Sequence, residues 1–386
     1  MAEWTFSDNP ILADLQRAVA IESINPALPG GARGEAGMVE FTEAFFADCG
    51  IPTETEEVLP GRCNVLATLT GRDPDRVLLF ESHMDTASTE GMTIDPFAPA
   101  IRDGLLYGRG SCDTKAGGIA MMHAMRRLAE AGETPPCTIQ FAGAMDEEHT
   151  FKGALALARA TKATAVVVSE PTDLAVIRAH NGLARFRIHV TGVAAHSSKP
   201  ELGVNAISKM ARIVTAIEDE IETSYVDRRH PLTGSPRLNI GVITGGVQIN
   251  FVPDHCVIEV DRRVIPGEDP LGTVQPFRDL LARLASDDPT LDVQLEDPFL
   301  LDTSMETPDD SDIIRVASGA CEATIGSSTV DGVPYGTDAS KFTAIGIPSI
   351  VLGPGSIDQA HAAVEWVECQ QVLDMTDIYT EIMRRF

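Results

Sequence analysis

The chain has 386 residues, 44% of them hydrophobic, and 57 acidic against 30 basic side chains give a formal net charge of -27. That apolar fraction excludes wholesale disorder, and the length suits one large domain plus a smaller one. The charge repels nucleic acid and anionic membranes, and no run approaches the ~18 apolar residues that span a bilayer.

The opening, Met1-Ala2-Glu3-Trp4-Thr5, has neither a basic region nor an apolar signal stretch. Seven cysteines lie scattered without paired spacing, which suits reduced thiols in a cytoplasm. Ile11, Leu12, Leu15, Val19, Ala20 and Ile24 form one stripe and predict a helix over 10–24. A second helix is predicted over 35–49, stopped by Gly50. Strands follow at 63–69 and 76–82, then a polar glycine-rich loop at 108–118 and a helix over 119–131. A strand at 139–144, a helix at 151–160 and a buried strand at 165–168 complete an α/β alternation with helices on both sheet faces.

The rhythm changes near residue 180. Phe186, Ile188 and Val190 alternate along a half-exposed strand over 184–190. A helix over 203–222, strands at 237–243 and 255–263, a helix at 271–285 and a strand at 290–296 give the order βαββαβ. Such a ferredoxin-like sheet has helices on one face, so its open face needs a cover or its edge a partner. The expectation is an inserted dimerisation or lid domain at 181–295. It interrupts a catalytic domain made of 1–180 and 296–386, a phosphorylase/hydrolase-like mixed sheet sandwiched by helices. The second part carries a helix at 311–323, a strand-like 328–330, a helix opening near Thr337-Asp338, a strand at 348–352 and a final helix at 363–384.

Five chain positions put histidines or carboxylates at strand or loop ends. His83 closes an apolar run and Asp85 follows two residues later, so a carboxylate can hold the imidazole tautomer that leaves one nitrogen free. Asp113 lies in Gly108-Arg109-Gly110-Ser111-Cys112-Asp113, which lacks the lysine placement of a nucleotide loop, and its two oxygens suit a bridge between two metals. Glu147-Glu148 follows a strand; adjacent acids there are commonly a solvated turn, but the functional division gives Glu148 to a metal and leaves Glu147 free as a base. Glu170 ends another apolar strand, and His361 follows Gly353-Pro354-Gly355. Convergence at the carboxyl edge of one sheet is where open α/β folds place their sites. Mixed imidazole and carboxylate donors favour Zn²⁺, with Co²⁺ or Mn²⁺ as substitutes.

These linked motifs resemble the M20 family of zinc-dependent aminoacylases and carboxypeptidases, from Asn25-Pro26 to the last helix. The resemblance implies that His83, Asp113 and Glu170 hold one zinc and that Glu148, Asp113 and His361 hold a second in each subunit. It implies that Asp85 orients His83 and that Glu147 is the general base. In Gly192-x-x-Ala195-His196-Ser197, His196 looks like the family histidine that stabilises the oxyanion across a homodimer. Asn250 and Arg263 look like the pair that binds substrate carboxylate or oxyanion, and Gly336, in Gly336-Thr337-Asp338-Ala339, is placed at the substrate. Without the resemblance, His196 reads more readily as a polar turn residue and Arg263 as one more surface arginine.

Among the branches, Arg109-Gly110-Ser111-Cys112-Asp113 and Gly353-Pro354-Gly355-Ser356-Ile357-x-Gln359-Ala360-His361 look most like the acetylornithine deacetylase group. Thr114, Ala116 and Ala362-Ala363-Val364 depart from the family pattern and leave the substrate open. The implied activity is hydrolysis of an N-acyl amino acid, with succinyl-diaminopimelate desuccinylation or dipeptidase or carboxypeptidase action on a short peptide as alternatives. A non-enzymatic alternative is an inactive paralogue that binds ligand.

Overall fold

The computed structural model describes residues 8–386; the Met1–Thr5 opening lies outside the described residues. The chain divides into two compact units. One comprises the chain up to Arg178, Thr307–Asp331 and Thr337–Phe386, and the other Ala179–Glu306 with Gly332–Gly336.

The first unit is built on a mixed sheet. Its strands run in the order Thr53–Leu59, Arg62–Leu69, Cys137–Ala144, Asp73–His83, Ala165–Val168 and Ser349–Val351. The last four are mutually parallel, so their carboxyl ends lie along one edge. Helices Ala36–Asp48, Lys115–Glu130 and Cys369–Arg385 contribute Phe46, Ile119, Leu128, Val372 and Tyr379 to a core shared with Phe80 and Phe141 of the sheet. Burying these large apolar side chains is worth roughly 1.5–3 kcal/mol each. The Tyr379 hydroxyl donates to the Leu352 carbonyl, so even this buried polar atom is satisfied.

Three sequence expectations change in this unit. The first helix is Pro10–Val19, capped by the Asn9 side chain, and ends five residues before Ile24. The chain leaves the helix there because residues 23–25 pair with Thr86: the Thr86 N–H donates to the Ser23 carbonyl and the Asn25 N–H to that of Thr86, each at 3.0 Å. The third helix begins at Lys115, so Gly117 and Gly118 are helical and not part of a loop. A Cβ on Gly117 would fall 1.6 Å from the Ser169 Oγ; the glycines are there for close approach of the helix to two strand ends. The last helix starts at Cys369, because Trp366–Glu368 pairs as a strand with Leu105–Tyr107. A strand missed in the sequence, Thr53–Leu59, carries four glutamates or exposed threonines in succession; as an edge strand it has no apolar stripe to reveal it.

The second unit has the order strand, helix, strand, strand, helix, strand: Gly182–Thr191, Ala206–Ala216, Arg237–Gly245, His255–Val264, Gln275–Asp287 and Asp292–Leu295. All its ladders are antiparallel, with Arg237–Gly245 at one edge. Ala184, Phe186, Ile188 and Val190 face a core with Met210, Ile258, Phe277 and Leu280. The expected helix at 203–222 is shorter as an α-helix and continues as a π-helix over Ile217–Glu222. The outward face is not apolar. Arg185 pairs with Asp261 at 2.8 Å and Arg187 with Glu259 at 2.9 Å, so this face tolerates water without a cover.

Candidate metal centre

Four parallel strand ends and one helix start deliver the candidate donors. His83 is the last residue of Asp73–His83, and Asp113 precedes the helix Lys115–Glu130. Glu147-Glu148 follows Cys137–Ala144, Glu170 follows Ala165–Val168, and His361 lies beyond Ser349–Val351. His83, Asp113, Glu148, Glu170 and His361 are brought within reach of one another in two overlapping trios. His83, Asp113 and Glu170 offer donor atoms that all lie within 4.8 Å, and so do Asp113, Glu148 and His361.

Asp113 is common to both trios and uses a different oxygen in each. Its Oδ1 is 3.0 Å from His83 Nε2, and its Oδ2 is 3.4 Å from His361 Nε2. Glu170 Oε1 lies 3.7 Å from His83 Nε2, and Glu148 Oε2 lies 3.1 Å from His361 Nε2. The other nitrogen of His83, Nδ1, is 2.9 Å from the Asp85 main-chain oxygen. A carbonyl oxygen only accepts, so Nδ1 carries a proton and Nε2 of the neutral ring keeps its lone pair for the site.

Asp85 therefore orients the imidazole mainly through its backbone, its carboxylate being 3.6 Å away. That carboxylate has another task. It accepts from the N–H groups of Glu147 and Glu148, each at 3.1 Å, and from Asn25 Nδ2 at 2.7 Å. One buried side chain thus fixes the turn on which both glutamates stand.

The electrostatics suit cations. Asp113, Glu147, Glu148 and Glu170 crowd against two imidazoles. Burial, reinforced by the charges of Glu148 and Asp113 and opposed by His83, pushes Glu147 up to about 8. Burial raises Glu148 as well, and burial with the Asp113 charge raises Glu170 far above the ordinary carboxylate range. Burial also opposes the Asp113 charge, but its bonds to His361 and His83 win and hold that carboxyl below its usual value. The same contacts with Asp113 and Glu148 lift His361 to about 11. Like charges this close are costly to bury unless a positive charge joins them. Two clusters of hard oxygen and imidazole donors sharing one carboxylate fit two divalent cations.

Several supporting residues were not singled out in the sequence. Asn25 also donates to Asp146 Oδ1 at 3.1 Å, and Arg62 Nη1 reaches that same oxygen at 3.1 Å. Arg62 is in turn held by Glu35 through Nε at 2.9 Å. Glu81 and Asp338 are buried carboxylates, both raised by burial and by mutual or neighbouring negative charge. Asn25 and Arg62 carry no local pattern, since their partners are distant in sequence. Glu81 did carry a signal: it is an acid directly after the apolar run 77–80 of a buried strand.

The remaining predicted residues belong to the second unit. His196 is exposed, and its Nδ1 is 2.8 Å from the Ser198 Oγ. Asn250 is exposed, and its main-chain oxygen accepts from the Ser197 N–H at 3.0 Å. Arg263 Nε lies 2.9 Å from Asp261 Oδ1. At Gly336 a Cβ would stand 3.1 Å from the Asn181 carbonyl oxygen, within the same unit.

A sheet-edge site with two donor clusters fits a two-metal enzyme, and comparison with known proteins gives its class: the chain belongs to peptidase family M20/M25/M40, matched over residues 79–385. It is 30% identical over 376 residues to an acetylornithine deacetylase of Vibrio campbellii, covering 95% of this chain and 96% of that one. The acetylornithine deacetylase of Myxococcus xanthus is 27% identical, with 97% of each chain covered. Among solved structures, the fold is similar to that of the aminopeptidase PepT of Bacillus cereus, with a TM-score of 0.78, 24% identity and 97% of both chains covered. It is also similar to a dinuclear metal-binding M20 peptidase of Bacillus subtilis, with a TM-score of 0.72, 16% identity, and 97% and 98% covered. No helix among the described residues is long and apolar enough to cross a membrane.

Proposed function

We propose that the chain hydrolyses the amide bond of an N-acyl amino acid of the N-acetylornithine type. The observation that carries the reading is the pair of donor trios sharing Asp113. The identity of about 30% to acetylornithine deacetylases over nearly the whole chain supports the substrate class.

His83, Asp113 and Glu170 would hold one Zn²⁺, and Asp113, Glu148 and His361 a second, with Co²⁺ or Mn²⁺ as replacements. When bound, such ions polarise the acyl carbonyl and lower the pKa of the attacking water. Glu147, adjacent to a ligand but in neither trio, takes a proton from that water. As the amide C–N bond breaks, Glu147 returns the proton to the departing nitrogen. The products are a free carboxylate and a free amine. Asp85 keeps Glu147 and Glu148 in place through their N–H groups.

To His196 we assign stabilisation of the oxyanion, and to Asn250, Arg263 and Gly336 the carboxylate end of the substrate. Arginine suits that end because its planar fork binds carboxylate bidentately. The proposed state is a homodimer formed through the second unit, working in the cytoplasm. The half-exposed Val242 and Ile243 on the edge strand Arg237–Gly245 support such pairing.

A substrate panel tests the reading. N-acetylornithine, N-succinyl-diaminopimelate, other N-acyl amino acids and dipeptides are compared with Zn²⁺, Co²⁺ and Mn²⁺. N-acetylornithine is expected to give the highest kcat/KM. A dipeptide preferred more than about tenfold, ~1.4 kcal/mol in transition-state binding, would reject the deacetylase assignment.

A further inference from the structure

We infer that Glu365 is a positioning residue that locks the Asp113 loop to the segment carrying His361. The inference rests on the two-metal reading above.

Glu365 is fully buried, and four donors converge on its carboxylate. Oε2 accepts from Arg109 Nη1 at 2.7 Å and from the Gly110 N–H at 3.1 Å. Oε1 accepts from the N–H groups of Cys112 at 2.9 Å and Asp113 at 3.1 Å. Successive main-chain N–H groups that point inward form an anion-binding concavity. Gly110, at φ 79°, gives the loop the left-handed turn that such a concavity needs. The glycine-rich loop is thus an anion cradle, and the anion it holds is the chain's own.

The other side of the lock is His361, four residues earlier. Its side chain is 59% exposed, the loosest of the five donors, so packing does little to hold it. Glu365 anchors the segment beyond it. The Gly108 N–H donates to the Glu365 main-chain oxygen at 3.1 Å, and Trp366–Glu368 pairs with Leu105–Tyr107. Arg109 extends the brace, donating through Nη2 to the Ser88 carbonyl at 2.8 Å.

Both tethered donors, Asp113 and His361, belong to the trio with Glu148, whereas the trio of His83 and Glu170 contains only one of them. Removing the carboxylate leaves three N–H groups and a guanidinium buried without their acceptor, so the loop must shift to satisfy them. The trio with His361 should therefore suffer more than the other. A role in general stability would weaken both alike.

The test titrates chelator-stripped protein with Zn²⁺ by calorimetry, comparing the unaltered chain with Glu365→Gln and Glu365→Asp. The unaltered chain should take two ions. Glu365→Gln should weaken the ion of the His361 trio by about 10–100-fold, the usual cost of losing an outer support, and the other ion by less. Glu365→Asp should fall between. Equal weakening of both ions, or no change in either, would overturn the positioning role while leaving the metal reading intact. An unaltered chain that takes no ion would overturn both. Because a variant can fail to fold, amide hydrogen exchange on the unaltered, metal-stripped chain gives an independent check. The Gly110, Cys112 and Asp113 amides should be protected, and exchange at the rate of exposed amides would overturn the inference.

Discussion

On the outward face of the second unit's sheet carboxylates meet guanidiniums, as Asp261 meets Arg185 and Glu259 meets Arg187. In the candidate metal centre of the first unit, Asp113, Glu147, Glu148 and Glu170 crowd against His83 and His361, and the net shift of the three glutamates is upward. The first arrangement is balanced and partly exposed, so water and its own partners suffice. The second is unbalanced and buried, and the imbalance is what makes it a candidate for cations. A charge cluster points to chemistry when its charges are of one sign, withdrawn from solvent and held in place by donors that have no other purpose.

The sharpest break of this comparison is Glu147→Ala. Removing a general base should lower kcat by about 10²–10⁴-fold while metal content stays unchanged, because Glu147 is in neither trio. Activity within tenfold of the unaltered chain would rule it out as the base. The next is Asn25→Ala. Without the amide between them, Asp85 and Asp146 are left as neighbouring like charges. Metal affinity, read by competition with a chelator, should drop about 10–100-fold, and an unchanged affinity would show that the turn does not need this brace.

A smaller effect tests a balanced but buried pair. Asp14 lies 3.0 Å from His123 Nε2 and 2.9 Å from Arg17 Nη1. Burial opposes its charge, but these partners hold its pKa below the ordinary value. A carboxylate with a lowered folded pKa stabilises the fold above its unfolded value near ~4 and loses that contribution as pH falls through the folded one. Thermal melts from about pH 5 to pH 3 should show a steeper fall of Tm for the unaltered chain than for Asp14→Asn. Parallel curves would contradict this. The smallest effect is Arg185→Ala on the exposed ladder, which should change stability by less than about 1 kcal/mol and leave metal content alone. A loss well beyond that would mean the balanced face matters more than its exposure implies.

Much of the fold was legible because apolar runs such as 78–80 and 165–168 mark buried parallel strands, and Phe186, Ile188 and Val190 mark a half-buried one. His83, Glu148 and Glu170 were legible for the same reason, since each stands just past an apolar run, whereas Asp113 and His361 lie in glycine-containing loops. What escaped was held by partners far away in the chain. Asn25 meets Asp85 and Asp146, and Glu365 meets Arg109 and Gly110, across separations that no local spacing encodes. The edge strand Thr53–Leu59 escaped because its glutamates face water, and Gly117 and Gly118 looked like loop because glycine signals flexibility more often than close packing. Glu365 was hidden by the apolar Ala362-Ala363-Val364 before it, which drew the predicted helix across a segment that is a strand.

The central claim is that two cations share Asp113. It is tested most directly by counting Zn²⁺ per chain after equilibrium dialysis, for the unaltered protein and for His361→Ala. Close to two ions are expected in the first and close to one in the second, since His361 serves only one trio. One ion or fewer in the unaltered chain, or a count that His361→Ala leaves unchanged, would contradict it.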